Sequence, residues 1–116
     1  MSDTIFHKII AKEIPAKIEY EDDDCIVIHD IAPKAPVHLL IIPKKDIVNV
    51  GAMQESDSKL MGRLMFIARQ MAQKHNTEHA FRLVTNSGEG SGQVVMQLHI
   101  HLLGGWKSRV SDDMEM

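Results

Sequence analysis

Between residues 95 and 105 the chain reads Val95-Met96-Gln97-Leu98-His99-Ile100-His101-Leu102-Leu103-Gly104-Gly105, with a polar residue at every second position from 97 to 101. Successive side chains of a β-strand point to opposite faces. This spacing therefore places Gln97, His99 and His101 on one face, neighbours about 6.6 Å apart, with Met96, Leu98, Ile100 and Leu102 behind them. A neutral imidazole is a competent nucleophile near pH 7, and a hydrogen bond from its other ring nitrogen to a carbonyl aims it. His99 is thus suited to attack phosphorus. Just upstream, Asn86-Ser87-Gly88-Glu89-Gly90-Ser91-Gly92 is rich in glycine, which lets backbone N–H groups approach an anion closely, and Asn86, Ser91 and Gln93 add neutral donors.

Other readings of the same residues remain open at this point. His-x-His on a strand, with a third histidine such as His38, is also a way to build a zinc site. Against it, no carboxylate or thiolate is tied to the pair in sequence, and the glycine run would go unexplained. That run also reads as a plain flexible connection. His7, His75 and His79 read as surface or loop histidines with no part in chemistry. Two neighbouring imidazoles are costly to bury without partners, and apolar residues would fill the same strand at less cost.

The elements that must hold these residues follow from periodicity. Ile5, Phe6, Ile9 and Ile10 mark one face of a helix over Thr4 to Glu13, capped by Asp3 or Thr4 and stopped before Pro15. Strands are expected at Ala16 to Glu21, Cys25 to His29 and Val37 to Pro43, forming a meander, with an acidic turn after the first and a proline-bounded loop, Ile31 to Pro36, before the third. From Ser56 to about Lys74, Leu60, Met61, Leu64, Met65, Ala68, Met71 and Ala72 recur at helical spacing, a helix of about five turns with Ser56 or Asp57 as cap. Ala80 to Thr85 reads as a fourth strand, and the histidine strand is the fifth. The sum is an α+β single domain spanning residues 1–116: a mostly antiparallel five-stranded sheet, one short N-terminal and one long central helix on one side of it. Its ordered core runs over about 3–106, with a tail at 107–116 that frays most from Ser111 on.

Bulk properties narrow the function. A chain of 116 residues with 44% hydrophobic content supports one core. The single cysteine, Cys25, excludes an intrachain disulfide, and neither a secretory signal nor an apolar run of roughly 20 residues is present. A soluble, cytoplasmic protein without membrane contact is expected. A net charge of -3 with mixed signs argues against a nucleic-acid polymer as ligand but leaves small phosphorylated molecules open.

Gln97-Leu98-His99-Ile100-His101-Leu102-Leu103 resembles the signature of the histidine triad (HIT) superfamily, in which three histidines alternate with apolar residues. Further segments are similar to its Hint branch in the same order: Asp3 to Phe6, Lys12 to Lys17, His29 to Pro33, Ala35 to His38, Ile42 to Lys45, and Leu103 to Gly105. The resemblance covers nearly the whole chain up to Gly105. It implies that His99 is the nucleophile attacking the α-phosphorus of a nucleotide, that His101 handles the phosphate and leaving group, and that His38 supports the site. It further implies that Asp30 grips the ribose, that Ile5, Phe6, Ile9, Ile28 and Ile31 hold the purine, and that Asn86, Gly92 and Gln93 contact the phosphate. The implied activity is hydrolysis of purine nucleoside phosphoramidates or related adenylates, through a nucleotidyl-histidine, by a homodimer that needs no cofactor and no metal. Hydrolysis of dinucleoside polyphosphates, or nucleotide binding with residual catalysis, are the alternatives. Two positions depart from the pattern. Gln97 replaces the first histidine, where a backbone carbonyl suffices to orient His99, and Val94 replaces a polar residue near the leaving group.

Overall fold

The computed structural model describes residues 3–110. The elements are α1 (Ile5–Ile10), β1 (Ile18–Glu21), β2 (Cys25–His29), β3 (Val37–Pro43), α2 (Ser58–Lys74), β4 (Phe81–Val84) and β5 (Ile100–Gly104). The strands make one antiparallel sheet in the order β1-β2-β3-β5-β4, so β1 to β3 form the expected meander and β5 inserts between β3 and β4. Residues 111–116, where the sequence suggests fraying, lie outside the described residues. Lys107 to Val110 line a hollow with Ala80, Phe81, Arg82 and Trp106 beside β4.

The expectation that both helices lie on one side is corrected. β2 and β3 are apolar at every position from Cys25 to Ile28 and from Leu39 to Ile42, so both faces of the central sheet need cover. Cys25, Val27, Leu39 and Ile41 pack with Leu64, Ile67, Ala68, Met71 and Ala72 of α2. Their alternates Ile26, Ile28, Leu40 and Ile42 pack with Phe6 and Ile9 of α1. Each large side chain buried in this way contributes roughly 1.5–3 kcal/mol.

The helix boundaries also tighten. α1 ends at Ile10 because Ala11 and Lys12 break away, Lys12 with φ 63°, while Thr4 caps its start in a capping box with His7. In α2 the buried stripe includes Ile67 but not Met65, which is 50% exposed beside the 51% exposed Phe66. Asp57 does not cap α2 through its side chain. It accepts from the Gln54 N–H and pairs with Lys45, closing the 3-10 turn Glu55–Asp57 that precedes the helix.

The histidine strand is shorter than its alternation suggests. Pairing with β3 ends at Ile41 opposite Ile100, and pairing with β4 ends at Val84 opposite His101. Residues 95–99 cross the end of β3 instead of running beside it: the Leu98 N–H donates to Ile47 O at 2.7 Å, and the Gln97 amide donates to Pro43 O and Lys45 O. Gln97 is therefore fully buried in the sheet's end and does not share an open face with the histidines. With the β3–β5 ladder ended at Ile41 and the Leu98 N–H turned to Ile47 O, the Gln97 side-chain amide supplies the donor for Pro43 O.

Candidate active site

β5 carries His101 on the α1 side of the sheet, while its neighbours Ile100 and Leu102 pack under α2. His101 lies opposite Leu40 in β3, and His38 two residues earlier is its diagonal neighbour. This places His38 Nε2 2.9 Å from His101 Nδ1. His99, one step before the strand, is held by the Thr85 hydroxyl donating to its carbonyl at 2.8 Å. Its ring stands edge-on to Phe6 at 5.0 Å and to His101 at 5.1 Å between centroids.

The hydrogen bonds dictate the tautomers. The Lys34 backbone N–H donates to His38 Nδ1 at 3.0 Å, so in the neutral ring the proton sits on His38 Nε2. That proton points to His101 Nδ1, which must accept, leaving the proton of a neutral His101 on Nε2. On His99, Nδ1 lies 2.8 Å from the Gln97 carbonyl, an acceptor only, so Nδ1 carries the proton and Nε2 presents a lone pair. One ring thus offers a nucleophile and its neighbour a donor.

Burial keeps the rings neutral. It is the largest cause of the lowered pKa of His38 and of His99, opposed in His99 by the bond to the Gln97 carbonyl. His101 is pushed down to about 4, first by burial and then by the neighbouring His99 and His38.

Asp30 follows β2 directly. Its N–H donates to His38 O at 3.1 Å, its Oδ1 accepts from the Ala32 N–H at 2.8 Å, and its Oδ2 lies 3.5 Å from His38 Nε2. Ligand atoms of Asp30, His38 and His101 fall within 4.8 Å of one another, the one such cluster of His, Cys, Asp or Glu among the described residues. His99, the other half of the His-x-His pair, is not among them.

Two hollows meet at the site. An apolar slot of about 260 Å³ is lined by Ile5, Phe6, Ile9, Ile28, His29, Asp30, Ile31, Leu40 and Val95. A more polar one of about 210 Å³ is lined by His99, His101, Asn86, Gly92, Gln93, Val94 and Lys34, together with Phe6, Asp30, Leu40 and Val95, which it shares with the slot. All the singled-out residues except His38, Gln97 and Ser91 line one or both hollows, although Ile31 is 97% and Val94 87% exposed at the rim, and the Ser91 hydroxyl donates to Gly88 O within its own loop. Gln93 is committed: its Nε2 donates to Val48 O and Val95 O, and its Oε1 accepts from the Gly88 N–H and Asn49 Nδ2. Its side chain staples the glycine loop, in which Gly88 (φ 95°) and Gly92 (φ 103°) adopt conformations that favour glycine.

Lys34, Leu40, Val95 and His29 are lining residues that sequence reasoning missed. Leu40 was within reach, since it alternates with His38 on β3. The remaining histidines have structural partners: His7 bonds Asp46 at 3.0 Å, and His29 and His75 converge on Glu19, whose pKa is pulled down to about 2, chiefly by Lys74.

The site is thus a five-stranded antiparallel sheet bearing an aimed histidine and a supporting histidine pair beside an apolar slot of about 260 Å³. The HIT domain family matches residues 11–108, and the chain belongs to it. It is 48% identical over 103 residues to an uncharacterized HIT-like protein of Synechococcus elongatus, covering 89% of this chain and 90% of that one. The HIT family hydrolase from Clostridium thermocellum superposes with a TM-score of 0.89 at 42% identity, covering 97% of this chain and 98% of the other. A hypothetical histidine triad nucleotide-binding protein from Sulfolobus tokodaii gives 0.75 at 29% identity, covering 96% and 74%. Among the described residues no helix is long and apolar enough to cross a membrane.

Proposed function

We propose that the protein hydrolyses purine nucleoside phosphoramidates or related adenylates through a covalent nucleotidyl-histidine at His99. The observation that carries this reading is the opposite proton placement on two adjacent neutral rings, a lone pair on His99 Nε2 and a proton on His101 Nε2. His99 Nε2 attacks the α-phosphorus. The bond to the leaving amine breaks, its electron pair passes to nitrogen, and the amine takes up a proton. Water then attacks the same phosphorus, the P–N bond to His99 breaks, and AMP is released with the ring restored. His101 donates to the phosphate oxygens as charge builds on them. The apolar slot suits a purine, and Asp30 at its junction with the polar hollow suits the two ribose hydroxyls. Gly92 and the backbone of its loop flank the phosphate, with Gln93 keeping that loop in place. The hydrolase named from Clostridium thermocellum and the nucleotide-binding protein named from Sulfolobus tokodaii support the reaction class and the ligand class.

Mass spectrometry of the protein quenched during turnover of a slow adenosine phosphoramidate tests the reading. An AMP adduct on His99 is expected, absent in His99→Ala, which still binds AMP. Saturable AMP binding with no turnover of any phosphoramidate would instead favour a nucleotide-binding regulator. We also read the active form as a homodimer joined through α2 and the edge strand β4, supported by the exposed Met65 and Phe66 on α2. Light scattering at micromolar concentration tests this.

A further inference from the structure

Among the described residues Lys34 is the one lysine or arginine lining the hollow that holds His99 and His101, and none lines the apolar slot. It sits between Pro33 and Pro36, and its own N–H holds His38 Nδ1 at 3.0 Å, so its backbone is pinned beside the imidazole row. The side chain is exposed, and among the described residues no ion pair engages its ammonium group.

Position decides which charge it meets. The row runs Lys34, His38, His101, His99, with ring centroids 5.2 Å apart between His38 and His101 and 5.1 Å apart between His101 and His99. The backbone of Lys34 therefore stands at the far end of the row from His99, the side toward which a group displaced in line by His99 departs. Its positive charge opposes protonation of both His38 and His101, so its field reaches that end of the site. Val94 at the rim offers no proton and no charge.

We propose that Lys34 forms a subsite for an anionic leaving group, one that carries a carboxylate or phosphate next to the bond broken at the α-phosphorus. This rests on the hydrolase reading above. A carboxylate or phosphate displaced from an adenylate keeps the electron pair of the broken P–O bond on oxygen and departs without a proton, which suits a wall that has none to give. An amino acid joined through nitrogen departs with the electron pair on nitrogen, which takes a proton from solvent, while its carboxylate stays ionised beside Lys34.

The test compares kcat/KM for matched substrates. The AMP amidate of alanine against that of alanine amide isolates a carboxylate, and the AMP amidate of O-phosphoserine amide against that of serine amide isolates a phosphate. We expect the native protein to favour the charged member by about fivefold, the upper end for an exposed ion pair, with the preference shrinking as salt rises. Lys34→Gln brings the ratio near one and Lys34→Glu inverts it; the arm that responds identifies carboxylate or phosphate as the group recognised. A ratio unchanged in Lys34→Glu overturns the proposal. If nothing is turned over, the hydrolase reading fails by itself, and calorimetric binding of the two alanine compounds to the same proteins decides the subsite. A charge preference lost in Lys34→Glu then supports it, and one that persists or never appears overturns it.

Discussion

Replacing Gln97 by leucine and by glutamate separates what its side chain does from what its backbone does. The amide is fully buried, with Nε2 donating to Pro43 O at 3.0 Å and Lys45 O at 2.9 Å while Oε1 has no partner. In Gln97→Leu two carbonyls lose a donor at about 1 kcal/mol each, and removal of the unpartnered Oε1 returns about 1 kcal/mol. The net cost is about 1 kcal/mol, a fall in Tm of roughly 5 °C for a chain of this size. Gln97→Glu keeps the shape but sets an oxygen against both carbonyls, so the folded state must protonate it. If its pKa rises to about 7 from the usual value near 4.3, the linkage cost at pH 7, where the folded group is half ionised, is about 3.3 kcal/mol, at 1.36 kcal/mol per unit. A carboxyl whose pKa is raised on folding destabilises as pH climbs past the unfolded value, so the deficit of Gln97→Glu relative to the native protein shrinks between pH 7 and 5. Chemical denaturation at both pH values measures each figure. Because His99 is aimed by the carbonyl of residue 97, which every residue supplies, kcat of Gln97→Leu stays within a few-fold of native below its Tm. A glutamate variant no less stable than the leucine variant at pH 7 would refute the donor assignment on which the calculation rests.

Three further outcomes follow from the same geometry. The pKa values of His38, His99 and His101 are lowered on folding, so stability is full above pH 6.5 and lost as pH falls toward 4; His101 alone accounts for roughly 2–3 kcal/mol by pH 4, measured by denaturation against pH, and turnover declines as acid protonates His99 below the ordinary imidazole range. In Gly104→Ala the new Cβ would lie 2.5 Å from Thr77 Oγ1 and 2.8 Å from its Cγ2, displacing a hydroxyl that donates to Ala80 O and accepts from the Gly105 N–H; a loss of about 2–3 kcal/mol is expected by calorimetry. Val94→Ser supplies a hydroxyl near the leaving group and raises turnover of a phosphoramidate with a basic amine by roughly tenfold, less than the 10²–10⁴ of a full general acid; an unchanged or reduced rate counts against a missing donor.

By itself the sequence determined the meander, the long helix, and the pairing of a nucleophilic histidine with a glycine loop, because these are local: alternation, helical spacing and chain adjacency suffice to express them. β2 and β3 lack polar alternation, which requires cover on both faces, and only the fold made plain that α1 and α2 lie on opposite sides. The tertiary structure alone decided the rest. Alternation from Met96 to His101 reads as one strand, yet pairing with β3 stops at Ile41 opposite Ile100 and pairing with β4 at Val84 opposite His101, and the chain before Ile100 crosses the end of β3 instead. Gln97 therefore leaves the histidine face to bond the carbonyls of Pro43 at the end of β3 and of Lys45 just beyond it, 54 and 52 residues away in sequence. Likewise the proton positions on His99 and His101 depend on Lys34, His38 and the Gln97 carbonyl, contacts that the spacing of residues along the chain does not encode.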